Sequence, residues 1–241
     1  MSATYDLDVG IEDKVSIVIP TYKQLPYAKK CIESIIEYTT YPNYEIIVCD
    51  DCSEIPALEE YLKHMESEGK IKLFLNSERR LCANTMDAIR TATGQFLCFM
   101  NDDVEIPSDS SDWLWTLLDA LKRNRGEWAS VTPAMYHSAE NKSVYWVGKT
   151  KENFNQPFHD YLHAPFGYPL LPKDPVYCCY NTFACCLTWT GLTNFLEVGK
   201  NHDCYGVDSD WCYEIEGTLG LTHWMVPDTY IYHANIYMLR G

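Results

Sequence analysis

Acidic residues stand directly after two short apolar runs of this sequence. Asp50-Asp51 follows Glu45-Ile46-Ile47-Val48-Cys49, and Asp102-Asp103 follows Phe96-Leu97-Cys98-Phe99-Met100. A third group, Asp208-Ser209-Asp210, stands where a helix is predicted to begin. A lone Asp after a strand is ordinarily a turn former or a helix N-cap. Recurrence changes that reading. Carboxylates gathered at one sheet edge repel one another unless a divalent cation or a donor-rich ligand sits among them. Hard cations such as Mg²⁺ and Mn²⁺ suit carboxylate oxygens and commonly share them with substrate phosphates. The chemistry suggested is a nucleoside-diphosphate site with a metal. Neither a G-x-x-x-x-G-K-[ST] loop nor a G-x-G-x-x-G fingerprint occurs, so the phosphates are not held by either of those glycine-rich turns.

The elements that must position these carboxylates alternate. Val15-Ser16-Ile17-Val18-Ile19, ended by Pro20, reads as a buried strand, and Glu45–Cys49, Ile71–Leu75 and Phe96–Met100 read likewise. Between them run helical faces: Ala28, Ile32, Ile35 and Ile36, then Leu58, Tyr61, Leu62 and Met65 before Gly69, then Cys82, Met86 and Ile89. Leu114, Leu117, Leu118 and Leu121 mark a further helix after Asp103. Strands of near-continuous apolar character alternating with helices predict an α/β fold, a mostly parallel central sheet flanked by helices. Such sheets bind ligands beyond the carboxyl ends of their strands, where Asp51, Asp102 and Asp103 stand.

The second half differs. From about Trp128 to Pro175 the sequence reads as irregular and rich in Tyr, Pro, His and Asn, and long irregular stretches in compact proteins are often functional loops. A strand over Thr182–Trp189, a short helix over Leu192–Val198, a helix from near Asp208 and a strand over His223–Val226 complete the expectation. We expect one domain over 1–241, with a nucleotide-binding half over about 14–127 and an acceptor-facing half over about 128–241.

Composition excludes some partners. The 241 residues carry 19 Lys and Arg against 34 Asp and Glu, a formal net charge of −15. Binding to phosphate backbones or to an anionic membrane surface needs the opposite balance. No uninterrupted apolar stretch approaches the length of a membrane span. The start, Met1-Ser2-Ala3-Thr4-Tyr5-Asp6, lacks the basic and apolar regions of a signal peptide. The 11 cysteines are an odd number, and the vicinal pairs Cys178-Cys179 and Cys185-Cys186 lack the spaced C-x-x-C geometry that wraps a structural zinc, so reduced, mostly buried thiols in a cytoplasmic protein are expected rather than a zinc site there.

Taken in order, the motifs resemble the inverting family 2 glycosyltransferases of the GT-A, Rossmann-like fold. Val15-Ser16-Ile17-Val18-Ile19-Pro20-Thr21-Tyr22 is similar to that family's first strand and nucleotide loop. The segment Tyr41–Ser53 resembles its second strand and turn. Ala92–Val104 resembles the strand carrying its D-x-D-like metal motif, here Asn101-Asp102-Asp103. Gly206–Cys212 resembles its late acidic helix start, and Val226–His233 its final strand and histidine.

The resemblance implies roles. Pro20, Thr21, Tyr22, Asp51, Arg80 and Asp102 would contact a nucleoside-diphosphate sugar, most often a UDP-sugar, with dTDP-sugars close behind. Asp103 and His233 would ligate Mn²⁺ or Mg²⁺. Asp208 would be the general base that activates a hydroxyl of a glycan or similar acceptor, with Asp210 as the alternative base. The family pattern has Glu before that Asp, and this chain has Val207. Two other readings remain. A degenerate module would bind a nucleotide or glycan without turnover. A sugar-nucleotide nucleotidyltransferase would need a Gly- and Arg-rich loop in place of Pro20-Thr21-Tyr22-Lys23-Gln24. Family members commonly continue into further elements, so this chain is expected to be either one domain of a longer polypeptide or a free-standing enzyme.

Overall fold

The computed structural model describes residues 12–80, 82–138, 173–196 and 207–234, together with the backbone of 144–146. Most of the acceptor-side stretch expected to be irregular, and the expected helix end at Val198, lie outside these residues. Four strands open the fold: β1 (Val15–Thr21), β2 (Tyr44–Asp50), β3 (Lys72–Leu75) and β4 (Phe96–Met100). All their mutual pairings are parallel. After them come β5 (Val104–Glu105), β6 (Trp128–Tyr136), β7 (Val144–Trp146), β8 (Val176–Cys178), β9 (Cys185–Trp189) and β10 (Thr222–His233). The sheet runs β3-β2-β1-β4-β9-β6-β10-β5, with β7 beside β6 and β8 beside β10. It is mixed: β9 is antiparallel to both β4 and β6, while β6 and β10 are parallel.

Helices cover both faces, and the strands' period of two divides the core between them. Val15, Ile17 and Ile19 of β1 point to one face with Phe96, Cys98 and Met100 of β4. There they meet α1 (Leu25–Tyr38), α2 (Pro56–Ser67) and α4 (Trp113–Arg123). Val18, Leu97 and Phe99 point to the other face, against α3 (Cys82–Ile89) and α5 (Val207–Leu219). α2 ends before Gly69 at φ +67°, a left-handed position that glycine fills without penalty. Gly94 meets a different need. A Cβ there would lie 2.6 Å from the Lys14 carbonyl oxygen and 2.7 Å from the Ser16 nitrogen, so only glycine lets the chain enter β4 so close to β1.

Three expectations change. Trp128–Tyr136 is not irregular but a nine-residue strand, buried at every position between β9 and β10. The last strand reaches His233 despite Pro227, because β10 slips register against β6 between Val226 and Tyr230. A bulge of this kind is one of the few sheet positions that tolerates proline. The helix expected from Leu192 is a 3₁₀ turn over Thr190–Phe195. The thiol expectation holds for nine free cysteines, eight of them buried, and fails at Cys82, which is disulfide-bonded. No helix among the described residues is long and apolar enough to cross a membrane.

Candidate active site

The loops that leave β1 and β2 build the first part of the site. Lys23, Cys52 and Glu54 all have φ between 54° and 60°, a left-handed conformation that costs non-glycine residues energy and gathers at functional loops. Hydrogen bonds hold that geometry. Lys23 N–H donates to Ser53 Oγ at 2.9 Å, Ser53 N–H donates to Asp50 Oδ2 at 2.9 Å, and the Ser53 hydroxyl donates to Asp50 Oδ1. Asp50 is therefore a turn former, as an isolated Asp after a strand ordinarily is.

Asp51 is buried and lies next to β1, its N–H donating to the Thr21 carbonyl at 3.0 Å. Its Oδ1 accepts from Arg80 N–H at 3.0 Å and from Asn84 Nδ2 at 2.5 Å, and Arg79 Nε lies 3.6 Å from Oδ2. The Arg80 guanidinium turns away to Asn84 Oδ1 and Asp87. Arg80 thus meets the Asp51 pocket through its backbone, while Arg79 lies over the Tyr22 ring at 4.3 Å from its centroid. Asn84, 1% exposed on α3, and Arg79 are site residues the sequence reading missed. The sequence carried no signal for the first, because the apolar face it shows on this helix is Cys82, Met86 and Ile89 and Asn84 lies on the opposite side.

The end of β4 builds the second part. Asp102 is 2% exposed and accepts from Thr21 Oγ1 at 2.7 Å. Burial raises its pKa to about 7; the Thr21 hydroxyl and Tyr22 N–H oppose the rise and the Asp103 charge adds to it. Asp103 Oδ1 faces His233 Nε2 at 3.1 Å, and Asn101 Nδ2 lies 3.4 Å from the same nitrogen. Topology makes this meeting possible: β5 pairs antiparallel with the end of β10, setting Val104 opposite His233, and Ala234 N–H donates to the Asp103 carbonyl. Pro20, Thr21, Tyr22, Asp51, Asp102, Asp103 and His233 therefore form one connected edge.

Asp208 stands at the start of α5, partly buried, and Asp210 is exposed. Asp208 Oδ1 accepts from Ser209 N–H at 2.9 Å, and the Phe183 N–H and Thr182 hydroxyl act on the carboxylate electrostatically. Burial raises its pKa; those donors pull against the rise. One residue beyond Phe183, the Ala184 carbonyl accepts from Asn101 N–H at 3.0 Å. The Asp208 support thus adjoins the Asn101-Asp102-Asp103 turn through the backbone.

A carboxylate oxygen and an imidazole nitrogen that face each other are a donor pair suited to a divalent ion, and the nitrogen favours Mn²⁺ over Mg²⁺. Asp103 and His233 supply two donors, and no group of three or more His, Cys, Asp or Glu able to hold an ion occurs among the described residues.

The class this architecture defines is the glycosyltransferases. The family model described as Glycosyl transferase family 2 matches residues 16–179, and the chain belongs to that family. The UDP-Glc:alpha-D-GlcNAc-diphosphoundecaprenol beta-1,3-glucosyltransferase WfgD of Escherichia coli is 32% identical over 178 residues, 68% of this chain and 67% of that protein. The GalNAc(5)-diNAcBac-PP-undecaprenol beta-1,3-glucosyltransferase of Campylobacter jejuni is 28% identical over 157 residues, 64% of this chain and 49% of that protein. Of the glycosyltransferase GlyA of Streptococcus pneumoniae, 28% identical over 105 residues, the match spans only 15%. Among solved structures, GalNAc-T7 with UDP, GalNAc and Mn²⁺ has a TM-score of 0.71 at 18% identity, covering 95% of this chain and 44% of that one. A mannosyltransferase from Pyrobaculum calidifontis in complex with GDP-Man and Mn²⁺ has a TM-score of 0.60 at 18% identity, covering 96% and 61%. These likenesses are of fold, and the fold is the expected GT-A arrangement.

Proposed function

We propose that this chain is an inverting, divalent-metal-dependent glycosyltransferase that moves a sugar from a UDP-sugar, or a dTDP-sugar, to an acceptor hydroxyl. The observation that carries it is the facing pair of Asp103 and His233 beside Asp102, with a second carboxylate, Asp208, fixed separately on α5. Curated relatives are named for undecaprenol-linked and poly(ribitol-phosphate) chemistry, so a lipid-linked glycan or a polyol phosphate is the favoured acceptor class. The donor and the free thiols suit a cytoplasmic setting; the disulfide at Cys82 is the observation against it.

In this reading Asp51, oriented by Arg80 N–H and Asn84, accepts a hydrogen bond from the base, and Tyr22 lines the base and ribose pocket. Asp102, steadied by Thr21, binds the ribose or the sugar. Asp103 and His233 hold the cation, which when bound stabilises charge on the departing diphosphate. Asp208 takes the proton of the acceptor hydroxyl as its oxygen attacks the anomeric carbon from the face opposite the diphosphate. Asp210 lies exposed two residues further along α5, whereas Asp208 is partly buried and hydrogen-bonded, which makes Asp210 the weaker candidate.

The test is nucleotide release from a panel of donors with and without Mn²⁺. Asp208→Asn should lower transfer by about 10²–10⁴-fold, the usual contribution of a positioned base, and leave nucleotide affinity within about twofold. Retained turnover in that variant would remove Asp208 from the mechanism. Tight UDP binding without turnover on any acceptor would make the chain a binding module.

A further inference from the structure

Behind Asp208 lies a buried polar chain that the chemistry above does not use. His223 of β10 is fully buried; its Nδ1 lies 2.8 Å from Ser130 Oγ of β6 and its Nε2 3.0 Å from the Cys212 carbonyl of α5. Asn181, also fully buried, donates through Nδ2 to Ser130 Oγ at 3.0 Å and to the Trp224 carbonyl at 3.2 Å. The Asn181 N–H lies 3.3 Å from Cys212 Sγ.

A neutral imidazole satisfies this chain. The Cys212 carbonyl can only accept, so Nε2 carries a proton. Ser130 Oγ accepts from Asn181 and can turn its own proton to Nδ1. Full burial disfavours a second proton on the ring. Burial lowers its pKa to about 4, with the Cys212 carbonyl and Glu216 acting in the opposite direction. The titratable groups that face it are Glu216 and Cys212 of α5 and Cys178 of β8, with Cys186 of β9 beside Ser130. Burial pushes the Cys186 and Cys212 thiols up, so they add no charge near neutral pH.

Both ends of the chain arrive at Asp208. Asn181 immediately precedes Thr182 and Phe183, whose hydroxyl and N–H favour the charged Asp208 carboxylate, and its own N–H and carbonyl both lie against Cys212 Sγ on the same helix as Asp208. Cys212 lies one helical turn beyond Asp208 on α5. We propose that Asn181, Ser130 and His223 are positioning residues for Asp208: one hydrogen-bonded chain sets both the helix that carries the carboxylate and the donors that aim it. This rests on Asp208 as the base.

The experiment compares His223→Leu, Ser130→Ala and His223→Gln. A Gln amide offers an acceptor and a donor about as far apart as the two ring nitrogens, so His223→Gln is the conservative variant able to restore these hydrogen bonds. Turnover per folded molecule should fall about 10²-fold in His223→Leu and Ser130→Ala, the scale of an ångström-sized misplacement. The donor KM and nucleotide Kd should stay within about twofold, and His223→Gln should recover most of kcat. A second readout needs no turnover. In ¹³C-aspartate NMR, with Asp208→Asn to assign the signal, the Asp208 midpoint should move up in His223→Leu and Ser130→Ala as its donors loosen, and return in His223→Gln. Lower Tm with unchanged kcat and an unmoved Asp208 midpoint would overturn the proposal. A wild-type protein without transfer would overturn the reading of Asp208 as base, while the NMR midpoint still decides the positioning claim. Should His223→Leu fail to fold, Ser130→Ala carries the same comparison with a smaller change.

Discussion

The two carboxylate regions of this fold are built by opposite means. At the β1–β2–β4 edge the acidic residues stand at or just past the strand ends, and near bonds, as between Asp50 and Ser53, combine with bonds from the adjoining strand-end loops and α3, as from Thr21 to Asp102 and Asn84 to Asp51. The loops bend through left-handed residues, and the parallel register of β1 with β2 and β4 lines the carboxylates up. At α5 the local bond from Ser209 N–H to Asp208 is backed by a buried scaffold: Asn181, Ser130 and His223, from three separate segments, are joined to one another and to Cys212 on the same helix. The difference teaches that a binding edge can be assembled from strand-end turns, whereas a carboxylate on a helix N-terminus needs a buried scaffold. It also makes the second region the more sensitive to acid.

That sensitivity gives the largest expected effect. His223 is neutral and fully buried in the fold, with a pKa near 4, against an ordinary value of about 6.5 in the unfolded chain. A depressed histidine pKa means the unfolded state binds the proton first. Its contribution is therefore complete above about pH 6.5 and is lost as pH falls toward 4, on the order of 3 kcal/mol in all. Urea unfolding between pH 7 and pH 4 should show this slope in wild type and lose most of it in His223→Gln. An equal slope in both would mean that acid acts on the carboxylate edge instead, and the contrast between the regions would fail.

This contrast also explains what the sequence could show. The parallel strands, the helices between them and the residues following each strand were legible, because period-two burial and strand-end Asp are local signals. Arg80 was legible by position, yet its backbone rather than its guanidinium reaches Asp51. β6 was not legible: a strand buried on both faces between two others lacks alternation, and Pro133 within it argued against the assignment. The chain through Asn181, Ser130 and His223 was invisible for a plainer reason. Residues 93 positions apart become neighbours only when the sheet order is known.

The metal pair tests the edge from its other side. His233 and Asp103 meet because β5 closes onto β10, so this contact ties the edge to the last strand of the sheet. His233→Ala should weaken Mn²⁺-dependent nucleotide binding by about 10- to 100-fold, read by titration calorimetry with and without Mn²⁺, because a two-donor pair becomes a single carboxylate. Metal-free binding should be unchanged. An equal loss with and without Mn²⁺ would assign His233 a packing role.

The smallest effect is expected at Asn84, and it separates orientation from charge. Asn84 Nδ2 donates to Asp51 Oδ1 and to the Glu78 carbonyl, and its Oδ1 accepts from Arg80 Nε. Asn84→Ala removes these bonds but leaves the Asp51 charge, its Arg80 N–H donor and the nearby Arg79 in place. A hydrogen bond to a charged group contributes about 1.5–3 kcal/mol, and only the part that orients Asp51 is passed on to the ligand. Affinity for UDP should therefore fall by about tenfold, while affinity for ribose 5-phosphate, which has no base for Asp51 to read, should not change. Asp51→Asn should lower UDP affinity by more, since it puts a donor where the base N–H needs an acceptor. If Asn84→Ala weakened both ligands alike, the edge would depend on α3 as a whole, and the two regions would share one mode of construction.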